Sequence, residues 1–238
     1  MEKEKKIKIF LGSSYILIVL VFLWFFFNHF SIDDITSYEL IKLNRDSLNE
    51  LKENNIILTS ILFFVGTIAW VMLLGFASPI FLIGGFVFGK WLGTFLVVLG
   101  LTVGSTLLYI FANFFLKEFV KQKFSIKYEK LNNKFKQNEF LLFLVYRFIG
   151  GVPFFISNIL PTLFNIKIKN FFAGTLIGLT PQLFIGVSLG DGLNKILGNN
   201  NEPPSLLDLI FTTDIYLPII GLLILVLIGI ILRKFFFK

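Results

Sequence analysis

The sequence contains no cysteine and one histidine, and charged residues make up only 16% of its 238 residues. Without cysteine, the chain can form neither a disulfide nor a thiolate metal site, and His29 alone cannot supply the histidine clusters that hold zinc. For the same reasons, the sequence argues against nucleophilic catalysis by a cysteine or by a hydroxyl group that a histidine activates. We therefore predict no metal site, no cofactor and no enzyme activity.

Apolar residues are abundant: 55% of the chain is hydrophobic, and the mean hydropathy is +0.82. A water-soluble domain does not carry this composition. The apolar residues form long runs, most of them sufficient to cross about 30 Å of hydrocarbon. These runs cover residues 9–27, 56–88, 91–116, 140–164, 171–189 and 215–232. We predict an all-α polytopic membrane protein whose first run is an uncleaved helix.

The net charge of +7 arises between the apolar runs. The segments 1–8, 117–139, 165–170 and 233–238 hold 16 basic and 5 acidic residues, whereas 28–55 and 190–214 hold 4 basic and 10 acidic residues. By the positive-inside rule, the first group is cytoplasmic and the second external, with both termini in the cytoplasm. The charge thus indicates topology rather than nucleic-acid binding, and we expect a multi-pass protein of a bacterial plasma membrane.

This topology requires two segments to turn back within the membrane. Residues 56–116 must begin outside and end inside, but they are too long for one crossing, and two crossings would end on the wrong side. Pro79 and the pair Gly150-Gly151 followed by Pro153 interrupt the runs. We therefore predict re-entrant hairpins at 56–88 and 140–164, each followed by a membrane helix, at 91–116 and 171–189. This is an inverted repeat, as in transporters; plain helices with a different topology are the alternative.

The predicted organisation has three parts. Residues 1–55 form an N-terminal anchor helix and an external segment, residues 56–192 form the membrane domain, and residues 193–238 form an external loop and a C-terminal membrane helix. A basic amphipathic helix at 117–139 joins the two repeats on the cytoplasmic side. It either lies on anionic lipid or is a solvated linker.

Several motifs resemble the DedA superfamily, also called VTT-domain or SNARE-associated membrane proteins, over roughly residues 75–192. The first repeat has Pro79 and a glycine-phenylalanine stretch from Gly85 to Gly93. The second repeat has four matching positions, Arg147, Pro153, Phe154 and Asn158, and the next helix has three, Gly178, Pro181 and Gly190. Three positions depart from the family pattern: Gly150, Thr162 and Asn113.

The resemblance implies opposed re-entrant hairpins that move lipid between leaflets. Arg147 is the one charged residue deep inside an apolar run, and a charge there costs about 2.5–3.5 kcal/mol on insertion scales. It either binds an anion such as a lipid phosphate or caps carbonyls of the broken helix, and both roles can coexist. No carboxylate lies inside the apolar runs, which disfavours proton coupling.

The candidate substrate-binding residues combine the hairpin turns with polar residues in the apolar runs. They are Arg147, Gly150, Gly151, Pro153, Asn158, Pro79, Asn113 and Tyr109. Ser157, Thr180 and Gln182 are further polar residues of these runs, although such side chains commonly bond a neighbouring helix. The predicted partners are membrane lipids that bear phosphate or negative charge. A transporter of small solutes or ions and a non-transporting assembly factor remain alternatives.

Overall fold

The computed structural model describes residues 12–15, 17–22, 24–25, 28, 47, 49–50, 52–115, 138–199 and 212–236, and every regular element among them is helical. The α-helices, numbered in chain order, are α1 (Gly12–Phe22), α2 (Ile56–Met72), α3 (Ala77–Phe115), α4 (Glu139–Ile149), α5 (Phe154–Ile159), α6 (Ile168–Asn199) and α7 (Thr213–Phe236). A 3₁₀-helix, Leu160–Leu163, continues α5. The predicted amphipathic helix at 117–139 lies almost wholly outside the described residues.

Among the described residues, three helices are long and apolar enough to cross a membrane: Ala77–Phe115, Ile168–Leu197 and Thr213–Phe236. Most large apolar side chains of α7 are exposed, including Leu223, Leu227 and Ile230. Such a surface is unstable in water and suits a lipid environment. The prediction of an all-α, multi-pass membrane protein is confirmed.

Helices α3 and α6 form the centre of the fold. They pack along each other, α2 lies against α3, and α4 and α7 lie against α6. The closest approach depends on glycines: a Cβ atom at Gly85 would overlap the carbonyl oxygen of Val187, and one at Gly190 would overlap that of Leu82. Backbones can approach this closely only where side chains are absent, so the first part of α3 is held firmly against α6.

The first interruption differs from the sequence prediction. The chain breaks at residues 73–76, where Leu74 has a φ of 63°, and Pro79 lies exposed in the first turn of α3. Proline is tolerated there because the first N–H groups of a helix have no intrahelical partner. A second interruption occurs at Gly89, with φ 74° and ψ 178°. This conformation is essentially restricted to glycine, and it separates residues 77–88 from the helix that follows.

Helix α6 is longer than the predicted segment 171–189. It begins at Ile168 and ends at Asn199, so part of the predicted external loop is helical. The polar residues of this extension have partners inside the protein. Asn194 Nδ2 donates to the carbonyl oxygen of Phe86 at 2.7 Å, and Lys195 pairs with Asp191 at 2.9 Å. Tertiary contacts therefore stabilise a stretch that resembles a loop in composition.

Candidate functional site

The break between α4 and α5 lies at the position predicted for the second hairpin. Helix α4 ends at Ile149, Gly150 and Gly151 have φ values of 65° and 78°, and Pro153 is the N-cap residue of α5. Positive φ values are strained for residues with a side chain. Two consecutive glycines and a proline thus end one helix and start another within four residues.

A side chain from α6 satisfies the end of α4. Gln182 Nε2 donates a short hydrogen bond to the carbonyl oxygen of Phe148 and lies 3.5 Å from that of Arg147. The last carbonyls of a helix have no intrahelical donors, and in an apolar surrounding they are costly to leave unpaired. The carbonyl-capping role considered for Arg147 is therefore performed by Gln182.

Arg147 lies at the centre of the site with only 2% of its surface exposed. Its Nε donates to Thr175 Oγ1 at 3.1 Å, its Nη1 to Ser157 Oγ at 2.9 Å, and its Nη2 to Asn158 Oδ1 at 2.7 Å. A guanidinium has five N–H donors, and the other two have no acceptor among the described residues. Helix α5 thus supplies both partners of the terminal nitrogens.

Two aromatic rings complete the surroundings of the guanidinium. Its carbon lies 5.2 Å from the ring centroid of Phe143 and 4.9 Å from that of Phe171, within the range of cation–π attraction. In the described part of the chain, no carboxylate pairs with Arg147. Neutral oxygens and ring faces therefore surround the positive charge, and none of the acidic residues that the structure describes compensates it.

Helix α5 and the 3₁₀-helix that continues it carry polar atoms without partners among the described residues. Asn158 Nδ2 and, one turn further, Thr162 Oγ1 are buried and have no hydrogen-bond partner within the described segments. Buried polar atoms of native proteins nearly always have partners. Together with the two remaining N–H groups of Arg147, the amide of Asn158 forms a set of donors without acceptors.

Tyr109 and Asn113 lie next to this cluster rather than in contact with the guanidinium. The ring of Tyr109 stacks on Phe171 with centroids 4.3 Å apart, and its hydroxyl donates to the carbonyl oxygen of Ile166 at 2.6 Å. Asn113, one turn later, has a buried Oδ1 without a partner among the described residues. Pro79 is exposed, outside the cluster, although neighbouring Phe76 contacts Phe155 of α5 edge-on at 6.2 Å.

The structure thus brings together Arg147, Asn158 and the turn formed by Gly150, Gly151 and Pro153. The sequence reasoning did not single out Thr175, Phe143 or Phe171. Thr175 was detectable, because positions 175, 178 and 182 share one face of α6 at helical spacing. Phe143 and Phe171 could not be predicted as ring partners of Arg147, because the chain contains 32 phenylalanines.

Comparison with known proteins agrees with this architecture. Residues 75–192, which include α3, α4, α5 and most of α6, match the sequence model of a family described as the VTT domain. Residues 75–192 form a VTT domain. The match confirms the resemblance to this superfamily, and it agrees with the candidate membrane spans found among the described residues.

Two curated relatives of the VTT-domain chain are both named Transmembrane protein 41 homolog. The one from Caenorhabditis elegans is 27% identical over 158 residues, which are 63% of this chain and 62% of the relative. The one from Dictyostelium discoideum is 26% identical over 180 residues, 73% of this chain and 52% of the relative. The chain therefore aligns with less than two thirds of either relative. Both are eukaryotic, so they do not support a bacterial plasma membrane. No solved structure matches the chain.

Proposed function

We propose that the protein translocates a phosphate-bearing lipid between membrane leaflets, and that Arg147 recognises the phosphate. The observation that carries this proposal is the buried guanidinium without a counter-charge. Its partners are the neutral oxygens of Thr175, Ser157 and Asn158. A charge in such a place costs several kcal/mol, and an anion recovers this energy through charge-assisted hydrogen bonds, roughly twice as strong as neutral ones.

The mechanism follows from the positions of these partners. Ser157 and Asn158 both lie on α5, a helix of six residues that begins immediately after the glycine turn. A small displacement of α5 removes their oxygens from Nη1 and Nη2 and leaves two parallel N–H groups for a bidentate phosphate. Asn158 Nδ2, already without an acceptor in the described structure, is a further donor on the same helix.

Two segments of the chain have the same order of elements, which supports a repeat around this site. The first segment consists of α2, the break at residues 73–76, the short helix 77–88 and, after Gly89, the long remainder of α3. The second consists of α4, the glycine turn, the short helix α5 and the long helix α6. We include in the proposal that both breaks are re-entrant hairpins of opposite orientation, with both chain termini in the cytoplasm. The charge distribution between the apolar runs and the helix order support this arrangement.

Single-cysteine labelling tests the orientation, because the natural chain has no cysteine to remove. We expect an impermeant maleimide to label Lys90→Cys from outside and Lys167→Cys only after permeabilisation. Thr213→Cys, at the start of α7, is a control for external labelling. Labelling of positions 90 and 167 from the same side would refute the inverted repeat.

Arg147 is tested by lipid transfer in proteoliposomes, with fluorescent phospholipids and an impermeant quencher. Arg147→Lys keeps the charge but loses the planar pair of donors, so we expect flux to fall about tenfold or more. Arg147→Gln should remove nearly all flux. Thr180→Ala is the matched control, since Thr180 bonds the carbonyl of Leu176 in its own helix.

Flux is compared per folded molecule, with monodispersity measured on the same preparations. Normal flux per folded Arg147→Gln molecule would refute the phosphate role and leave Arg147 with a structural one. Transport of inorganic phosphate without lipid transfer would instead favour a small-solute transporter. An absence of both in the unaltered protein would favour a non-transporting assembly factor.

A further inference from the structure

A second polar region lies apart from the Arg147 site, where the Gly89 turn, the end of α6 and the start of α7 meet. It contains a cavity of about 270 Å³. Its lining includes Lys90, Phe184, Ser188, Asp191, Asp214 and Leu217. Asp191 follows Thr175, a partner of Arg147, by sixteen residues on α6, which at 1.5 Å per residue puts these two residues about 24 Å apart along the helix.

The cavity is lined by charged residues of both signs. Lys195 bridges Asp191 at 2.9 Å and Asp214 at 3.2 Å, so these three residues carry one excess negative charge. Lys90 lines the same cavity, and none of the described carboxylates lies within ion-pair distance of it. Its ammonium is 6.0 Å from the ring centroid of Trp91. The cavity is therefore lined by an aspartate–lysine cluster with one excess negative charge and by a lysine that has no carboxylate partner among the described residues.

We propose that this cavity binds the headgroup of a zwitterionic phospholipid. The phosphate pairs with Lys90, and the ammonium pairs with Asp214 and Asp191. This ligand matches both unbalanced charges at once, whereas an anionic headgroup satisfies Lys90 but is repelled by the aspartates. The proposal concerns binding and does not require that the lipid crosses the membrane.

The surroundings favour a lipid over a soluble zwitterion. Phe184, Ile185 and Leu217 contribute apolar lining beside the charged residues, and Leu217 and Trp91 are 55% and 76% exposed on the outer surface. The cavity lies at the start of the candidate membrane span Thr213–Phe236 and along the second half of Ile168–Leu197. Headgroups and aromatic residues occupy this level of a membrane protein.

Native mass spectrometry of the purified full-length chain tests the proposal. The probes are palmitoyl-oleoyl phosphatidylethanolamine and phosphatidylglycerol with the same chains. We expect the unaltered protein to bind phosphatidylethanolamine about tenfold more tightly, because one charge-assisted contact distinguishes the two headgroups. Asp214→Asn should bring the affinity ratio close to one, since it neutralises one aspartate. Lys90→Gln should weaken binding of both lipids.

Lys169→Gln is the matched control, because Lys169 is an exposed lysine at the opposite end of α6. Equal affinity for the two lipids in the unaltered protein, or an unchanged ratio in monodisperse Asp214→Asn, would overturn the proposal. Competition by free phosphoethanolamine at lipid-like concentrations would assign the cavity to a soluble zwitterion instead. Because flux is not measured, a negative result leaves the Arg147 proposal unaffected, and loss of flux in Arg147→Gln leaves this one unaffected.

Discussion

The two helical hairpins share a layout but differ in what closes their turns. Each begins with an asparagine cap: Asn55 accepts from the N–H of Leu58 at 3.0 Å, and Asn138 from that of Leu141 at 3.4 Å. The first turn then closes on itself. Trp70 Nε1 donates to the carbonyl oxygen of Phe76 at 2.8 Å, and the N–H of Gly75 donates to the carbonyl of Trp70 at 2.9 Å.

The second turn depends on another helix and on a charge. Gln182 from α6 satisfies the end of α4, and Arg147 joins α4 to both α5 and α6. A turn that satisfies its own polar groups has one stable arrangement. A turn whose polar groups rely on exchangeable partners has an alternative when an anion arrives. This difference fits the proposed function, in which the first hairpin stays rigid and the turn of the second responds to a ligand.

The largest loss of stability is expected where the first hairpin contacts α6. In Gly85→Ala, the new methyl group would overlap the backbone carbonyl of Val187, and two packed helices must separate to admit it. We expect a loss near the upper end of roughly 1–3 kcal/mol, seen as a lower midpoint of thermal unfolding in detergent. Gly66→Ala is the control, because nothing lies within 4 Å of that position, and it should be neutral or stabilising. Equal midpoints for the two variants would contradict the close contact.

The next two variants compare the turns of the two hairpins directly. Trp70→Phe removes the side-chain donor of the first turn and Gln182→Leu that of the second, and each deletes one hydrogen bond worth about 0.5–1.5 kcal/mol. Their thermal midpoints should therefore fall by similar amounts. Lipid flux per folded molecule should fall only in Gln182→Leu, because only that turn holds Arg147. A comparable loss of flux in Trp70→Phe would abolish the proposed distinction between the hairpins.

The smallest effect is expected at the two caps. Asn55→Ala and Asn138→Ala each remove one hydrogen bond to a first-turn N–H, worth about 1 kcal/mol. Since the caps are equivalent, the two variants should lose similar stability and keep their flux per folded molecule. A selective loss of flux in Asn138→Ala would extend the responsive region from the turn to the start of α4.

Local sequence patterns predicted the interruptions unequally. The second was located correctly because Gly150, Gly151 and Pro153 together exclude a continuous helix. The first was placed at Pro79, although the chain turns at residues 73–76. Proline fits the first turn of a helix, so it marked a helix start rather than the break. The true turn includes Leu74 at a positive φ, and a leucine in the sequence does not predict this conformation.

The sequence by itself determined that the chain is a helical membrane protein, that its second hairpin breaks at Gly150, and that Arg147 is its deep charge. These properties depend on hydropathy, backbone preferences and charge, which act locally. Only the tertiary structure decided which groups surround that charge and where the long helix ends. Thr175 reaches Arg147 across 28 residues, and Asn194 reaches Phe86 across 108. Because a buried donor donates to whichever oxygen the packed helices bring near, its partners follow from helix packing, and residue type alone does not specify them.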